Sequence, residues 1–348
     1  MKISVIIPVF NVEPYVKRCL ESVLAQETPE IDIECVIVDD CGRDNSMSVV
    51  RQIVTEYQGT IKIIIVAHES NRGIAAARNT GIANSTGDYV MFVDSDDYLK
   101  QDCFQYYISY LRQYPRVDVI VGNVDCFNRE FLFHIDVKRP WLIDNPDVLM
   151  QRMLSQQINI CVWNRLVKRS ILEENRILFI EGIIFEDMTW SYWVFSHITS
   201  VLLLPKVTYV YEYNPCSITN SAISAEKLDR SLYSYVVSCD LLLNTPPDSS
   251  KYRCDMTVDY LLFINNILMR ASDLLHLGCA KSNIKYYCLI RRKLMLRTLA
   301  KGRLILSIFF LLLFPPFSYM KRFKWFRHHH KVMERIVGRI SHVADFIH

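Results

Sequence analysis

The sequence predicts an open α/β domain, a mostly parallel sheet flanked by helices, followed by a C-terminal helical extension. Three observations carry this reading. Over the first 120 residues, short β-branched runs alternate with stretches of helical spacing, which is the pattern of βαβ units. The runs are almost continuously apolar, as strands buried on both faces are. The chain has 348 residues, 51% hydrophobic and 22% charged, with only 10 Gly and 12 Pro, so it can build a large core and is not a disordered polymer.

The elements follow in order. Ile3–Pro8 reads as a first strand, because its apolar stretch is too short for a signal peptide and Asn11, Glu13 and Lys17 follow at once. Val16, Cys19, Leu20, Val23 and Leu24 recur at helical spacing on one face. Glu34–Asp39 is a second strand, and Asp44 precedes a helical stretch containing Val49, Val50, Ile53 and Val54. Ile61–Val66 and Tyr89–Asp94 are further strands; Val117–Val121 and Val201–Tyr211 continue the series, with a helix at Asp187–His197. From Ala225 to about Arg303 the pattern is largely helical.

The end of the chain is different. Leu304–Phe314 is an apolar run of 11 residues closed by Pro315-Pro316, then Lys321–Arg327 alternates basic and aromatic residues. Eleven residues are too few to span a bilayer, which needs about 20. A buried core helix is one reading. A helix lying in the membrane interface, with cations at the headgroups and Trp and Phe at the acyl boundary, fits the neighbouring residues better. The net charge of +3 hides this asymmetry: Lys281–Arg339 holds 15 Lys or Arg against one acid, Glu334, so the body before it is acidic. No recognised nucleic-acid module accompanies the basic tail, so nucleic acid is not an expected partner.

Eleven Cys, an odd number without regular spacing or a Cys-x-x-Cys pair, argue against a disulfide framework and a zinc site; they read as small buried hydrophobes of a reduced, cytoplasmic compartment. No Gly-x-Gly-x-x-Gly and no Gly-x-x-x-x-Gly-Lys-Ser/Thr occurs, against a dinucleotide dehydrogenase or a P-loop NTPase.

Two acidic clusters fall where chemistry is expected. Asp39-Asp40 closes the second strand and Asp94-Ser95-Asp96-Asp97 the fourth. In an open parallel sheet, ligands bind beyond the carboxyl ends of the strands. Carboxylates packed this closely repel one another, and a divalent cation with oxygen ligands relieves it; a solvated strand end or a helix cap is the plainer alternative. Arg78, in Ala77-Arg78-Asn79, is either a phosphate contact or a surface helix arginine. Glu186-Asp187 opens an aromatic-rich helix, either as dipole partners or as a general base at a pocket wall.

Taken together the motifs are specific. Ile6-Ile7-Pro8-Val9-Phe10-Asn11, Val38–Ser46, Asn71-Arg72-Gly73 with Ala77-Arg78-Asn79, Asp94–Asp97 and Glu186-Asp187 closely resemble the family 2 glycosyltransferases with the GT-A fold, of the bacterial polysaccharide and cell-surface glycan type. Trp163–Leu166, Phe179–Gly182 and Ser217-Ile218-Thr219 resemble further segments of the family. The resemblance covers about residues 1–220. It implies a transferase domain at 1–220, with a nucleotide-binding half at 1–100 and an acceptor-side half at 101–220. Residues 221–303 would be a helical extension and 304–348 a membrane-associated tail.

By this resemblance Pro8 and Phe10 line a base pocket, with the ring against uracil, and Asp40, with Asp39 beside it, accepts the uracil N3–H. Asn71, Gly73, Arg78, Asp94 and Ser95 belong to the nucleotide site. Asp96, with Asp94, holds Mn²⁺ or Mg²⁺, and Asp97 leaves open which acid binds directly. Asp187 is the catalytic base with Glu186 in support, and Trp163, Arg165 and Glu181 lie toward the acceptor. Cys41 stands where the family commonly has Gly, and Arg165 where it often has Lys. The implied activity is inverting transfer of a sugar from a nucleotide-sugar, UDP-linked by preference, to a glycan or lipid-linked acceptor at the inner face of the cell membrane. A sugar-nucleotide-binding scaffold that no longer catalyses is the alternative. A nucleotidyltransferase would need a Gly-rich basic loop after the first strand, which is absent. Sugar, acceptor, linkage and oligomeric state are not encoded in these motifs.

Overall fold

A computed structural model of the full chain describes residues 1–126, 135–154, 157–218, 220–221 and 224–244. The elements are β1 Lys2–Val9, α1 Glu13–Leu24, β2 Asp32–Asp39, α2 Ser46–Glu56, β3 Lys62–Ala67, α3 Ile74–Ala83, β4 Tyr89–Phe92, β5 Tyr98–Leu99 and α4 Cys103–Gln113. They continue with β6 Val119–Cys126, β7 Trp141–Ile143, α5 Pro146–Leu154, β8 Arg165–Lys168, α6 Arg169–Glu174, α7 Glu186–His197, β9 Val201–Tyr211 and α8 Ala225–Asn244.

The described strands form one sheet in the order β3-β2-β1-β4-β8-β6-β9-β5, with β7 paired to β9. β3, β2, β1 and β4 are parallel, in register such as Val9 opposite Asp39 and Ile6 opposite Phe92. This register brings the carboxyl ends of β1, β2 and β4 to one edge, which is where both acidic clusters lie. The other half of the sheet departs from the expected parallel pattern. β8 inserts antiparallel between β4 and β6, β9 runs parallel to β6, and β5 and β7 pair antiparallel with β9. The sheet is therefore mixed.

The apolar stripe of α1 is buried as its spacing predicts: Val16, Cys19, Leu20, Val23 and Leu24 pack against β1 and β2 residues such as Val5, Ile7 and Cys35. On α2 only Val50 of the four predicted apolar positions is fully buried; Val49, Ile53 and Val54 lie at the margin of the core. The first turns of α1 are capped from elsewhere in the chain. Ser46 Oγ accepts the Val12 N–H and Asp44 Oδ2 accepts the Glu13 N–H. Asn11 Oδ1 accepts the Arg43 N–H at 2.7 Å, so the loops after β1 and β2 are stitched into one surface.

Among the described residues no helix is long and apolar enough to cross a membrane. The expected tail at 304–348, and the extension at 221–303 apart from its first helix, lie outside the described residues.

Candidate active site

The site is assembled on the edge where β1, β2 and β4 end. Phe10, just beyond β1, is 43% exposed, a high value for a ring in so apolar a region, while Pro8 below it is buried. Asp39 and Asp40 end β2 and meet different fates. Asp40 is buried and its carboxylate is fully engaged. It accepts the Asn71 side-chain amide at 2.8 Å and the backbone N–H groups of Arg72 and Gly73, each at 2.8 Å, while His68 Nδ1 lies 2.7 Å away. Asp39 is half-buried, and the one hydrogen bond of its carboxylate among the described groups is to the Cys41 N–H through Oδ1. Asp40, expected to meet a base N–H, is thus the clasp that shapes the 68–73 loop, and Asp39 has the free oxygen. Gly73 has φ 87°, a left-handed conformation that explains the glycine before α3. Cys41 has φ 58°, a left-handed conformation that a glycine would adopt without strain.

Arg78 is not a surface arginine. On α3 it is 3% exposed and forms two ion pairs, one to Asp94 Oδ1 at 2.7 Å and a shorter one to Glu186 Oε1. Its guanidinium lies 5.4 Å from the centroid of the Phe179 ring, which stacks on Trp190; Phe92 meets both rings edge-on. A fork with two carboxylates in an apolar wall is a strong, directional arrangement, and both acids hold Arg78 in its charged form against the cost of burial. Arg78 therefore joins the acid cluster after β4 to the first turn of α7.

That cluster divides into two kinds of acid. Asp97 is buried with both oxygens taken, by the Tyr209 hydroxyl at 2.7 Å and the Glu212 N–H at 2.9 Å. Burial and its acidic neighbours push its carboxyl well above the usual range. Asp96 accepts the Asn214 amide at 2.9 Å through Oδ2, and burial with Asp94 nearby raises its carboxyl as well. Asp94 and Asp96 each keep one oxygen without a protein hydrogen bond among the described groups, whereas Asp97 keeps none. Two hard carboxylate oxygens are of the kind that a divalent cation such as Mn²⁺ or Mg²⁺ accepts. Among the described residues no set of three acids, His or Cys forms a complete cage. Ser95, between them, is buried.

Asp187 is half-buried at the start of α7. Burial, then Glu186 and Asp94, push its carboxyl up to about 7, with Arg78 opposing. A carboxylate poised there can take or return a proton near neutral pH. Glu186 is bound to Arg78 and thereby locks the helix end that carries Asp187.

The three acceptor-side candidates separate. Glu181 is exposed, with Arg72 at 2.9 Å and Asn79 at 3.2 Å, so it faces the site rim. Trp163 is buried and stacks on Tyr209, centroids 4.8 Å apart, so it supports the residue that holds Asp97. Arg165 has no exposed surface and donates to Asn159 O and Oδ1; burial lowers it to about 10, with Asp187 among the acids that oppose the shift. Sequence reasoning missed Asn214, Tyr209 and His68. Tyr209 and Tyr211, alternating at the end of the last predicted strand, are the available signal for one of them. Of the Ser217-Ile218-Thr219 motif, Ser217 and Ile218 follow Asn214 and Thr219 lies outside the described residues.

Comparison with known proteins bears on this geometry. The family model "Glycosyl transferase family 2" matches residues 4–176. Glycosyltransferase GlyA of Streptococcus pneumoniae is 34% identical over 227 residues, 63% of this chain and 31% of that protein. The uncharacterized glycosyltransferase EpsJ of Bacillus subtilis is 30% identical over 222 residues, 62% of each. The chain thus spans 31% and 62% of the lengths of these two relatives. Among solved structures, S. aureus TarS 1-349 in complex with UDP-GlcNAc superposes with a TM-score of 0.65 at 19% identity, over 85% of this chain and 81% of that one. A mixed sheet flanked by helices, acids gathered at its carboxyl edge and a family match across both halves of that sheet agree: residues 4–176 belong to glycosyl transferase family 2, and the fold is GT-A.

Proposed function

We propose that this chain transfers a sugar from a nucleotide-sugar donor, UDP-linked, to a hydroxyl of a glycan or lipid-linked acceptor in bacterial cell-surface polysaccharide synthesis, with inversion at the anomeric carbon. The observation that carries the reading is the Asp94–Arg78–Glu186 chain of ion pairs ending beside Asp187. It ties a cluster suited to diphosphate and metal to an acid poised to take a proton. TarS, a structural neighbour, was solved with UDP-GlcNAc and with UDP, which supports a uridine donor here.

In this reading Phe10 stacks on the base and the free oxygen of Asp39 accepts its N3–H. Asp94 and Asp96 would hold Mn²⁺ or Mg²⁺, which when bound neutralises charge on the diphosphate. Asp187 accepts the acceptor's hydroxyl proton while that oxygen forms its bond to the anomeric carbon. The bond from that carbon to the diphosphate breaks in the same displacement, and the nucleoside diphosphate leaves with the electron pair. Arg78 keeps Glu186 fixed and Asp187 from rising further, so that the base is partly ionised at neutral pH. One displacement inverts configuration and needs no covalent sugar–enzyme intermediate. The scaffold alternative would have no use for an acid held near neutrality.

The test is release of nucleoside diphosphate from UDP-, GDP- and dTDP-sugars with Mn²⁺. Hydrolysis of one donor, abolished in Asp96→Ala, supports the reading and names the donor. Silence across the panel with nucleotide binding intact, also when membrane lipid extract is added as acceptor, moves the assignment to the scaffold. For the tail, sedimentation of the full chain with anionic vesicles, lost when Lys321, Arg322, Lys324 and Arg327 become Glu, would support a peripheral location at the inner membrane face. Unchanged sedimentation would remove that location from the proposal.

A further inference from the structure

Helix α8 lies beyond residues 4–176 and beyond every motif of the site. It nevertheless makes a buried hydrogen bond beside a strained turn of the site. Phe185, the residue before Glu186-Asp187, has φ 61° and ψ 35°, a left-handed conformation that a bulky side chain rarely adopts. Gly182, three residues earlier, is also left-handed, with φ 82°. Strain of this kind persists only where the surroundings over-determine it. Part of that determination is visible. Ile183 and Ile184 are buried, and Arg78 holds Glu186, the residue after Phe185, by an ion pair. The Ile184 N–H is satisfied by Ser234 Oγ of α8 at 2.9 Å, across 50 residues of chain. Ser234 is 1% exposed and its hydroxyl donates in turn to Arg230 O at 2.8 Å, which leaves an oxygen lone pair for the Ile184 N–H.

We propose that Ser234 is a positioning residue for the reaction assigned above: through the Ile184 N–H it fixes the left-handed turn at Phe185 that presents Asp187 to the acceptor. The inference rests on the proposed transferase function for its catalytic part and on the hydrogen bond alone for its structural part. It gives the first helix of the extension a task in the transferase domain. Arg78 sets where Glu186 sits; Ser234 sets the backbone from which the Glu186-Asp187 pair departs. Two anchors on opposite sides of one strained residue leave the base little freedom, and small misplacements of a reacting group are costly in rate.

The experiment uses the full chain with Ser234→Ala and Ser234→Thr. Alanine removes one buried oxygen and leaves the Ile184 N–H without a partner; threonine keeps an acceptor there. Hydrogen exchange is measured first, because it needs no substrate. In Ser234→Ala the Ile184–Asp187 amides should exchange about fivefold faster or more, the loss expected for one buried hydrogen bond. Exchange in β1, β2 and β4 should be unchanged. Sugar transfer is then expected to fall roughly 10- to 100-fold in kcat, with the donor KM and nucleotide affinity within about twofold of wild type. Ser234→Thr should restore both readouts. Unchanged exchange at Ile184, or faster exchange spread evenly over the whole domain, overturns the clamp. Local exchange with undiminished kcat overturns the positioning role. If wild type transfers no sugar from any donor while the local exchange effect is present, the transferase reading fails and the clamp stands, so the two failures are distinguishable.

Discussion

Removing the guanidinium of Arg78 tests the link between the two halves of the site. In Arg78→Met the side chain keeps its length and apolar stem, and Phe179 still has a neighbour to pack against. What disappears is the charge shared by Asp94 and Glu186. Breaking a buried pair by deleting one partner costs about 3–5 kcal/mol, because the other charge is left uncompensated. The two acids do not contribute equally. Glu186 is 7% exposed at its side chain and cannot hydrate, whereas Asp94 is 21% exposed and can. The loss should therefore fall near the lower end, about 3 kcal/mol, with Glu186 responsible for most of it. Urea unfolding of wild type, Arg78→Met and Arg78→Met/Glu186→Gln measures this directly. The double variant should regain at least about 1 kcal/mol over Arg78→Met, since the amide replaces a stranded carboxylate. Arg78→Met within about 1 kcal/mol of wild type, or a double variant no more stable than the single one, would refute the strut. Arg78→Lys keeps one charge but not the fork, and should fall between the two.

Three further outcomes follow from the site. Asp187→Asn should stabilise the protein at pH 8 by up to about 4 kcal/mol, since the folded carboxyl titrates near 7 and the unfolded one near 3.8. The sign follows from which state holds the proton: above pH 7 the native state carries a partly desolvated carboxylate facing Glu186 and Asp94. As pH falls through 7 the native state takes up a proton, and below about 4 the advantage of Asn is gone; thermal unfolding from pH 4 to 8 checks this. Asp39→Asn should weaken UDP binding about 10- to 100-fold by calorimetry without affecting stability, whereas Asp40→Asn should lower stability by about 1–3 kcal/mol, because it unpicks the Asn71, Arg72 and Gly73 contacts. Cys41→Gly relieves a left-handed non-glycine residue and should be neutral to stabilising by about 1 kcal/mol in the same unfolding assay.

Much of this architecture was legible where it rests on local periodicity. Val201–Tyr211 forms a strand over the range its apolar run predicts, and the Asp187–His197 helix begins one residue earlier than expected. The acidic clusters fall at strand ends because parallel strands expose their carboxyl ends together. What the chain does at long range was not legible. Nothing in Arg165-Leu166-Val167-Lys168 signals that β8 inserts antiparallel between β4 and β6, since a four-residue run carries no orientation. Asp39 and Asp40 are equivalent as letters; only the return of the 68–73 loop decides which is consumed and which is left open. Arg78 and Arg165 look alike in composition, yet one bridges two acids and the other is closed away under Phe195. Asn214 reaches Asp96 across 118 residues, a pairing no spacing rule contains.

The most direct test of the account is the pH dependence of kcat for sugar transfer, with the donor identified by hydrolysis and a lipid-linked acceptor supplied. The rate should rise with an ascending limb near pH 7 as Asp187 loses its proton, and Asp187→Asn should lose roughly 10²- to 10⁴-fold together with that limb. A wild-type rate that is flat from pH 5.5 to 8.5, or an Asp187→Asn enzyme that keeps both rate and limb, would contradict the assignment of Asp187 as the base.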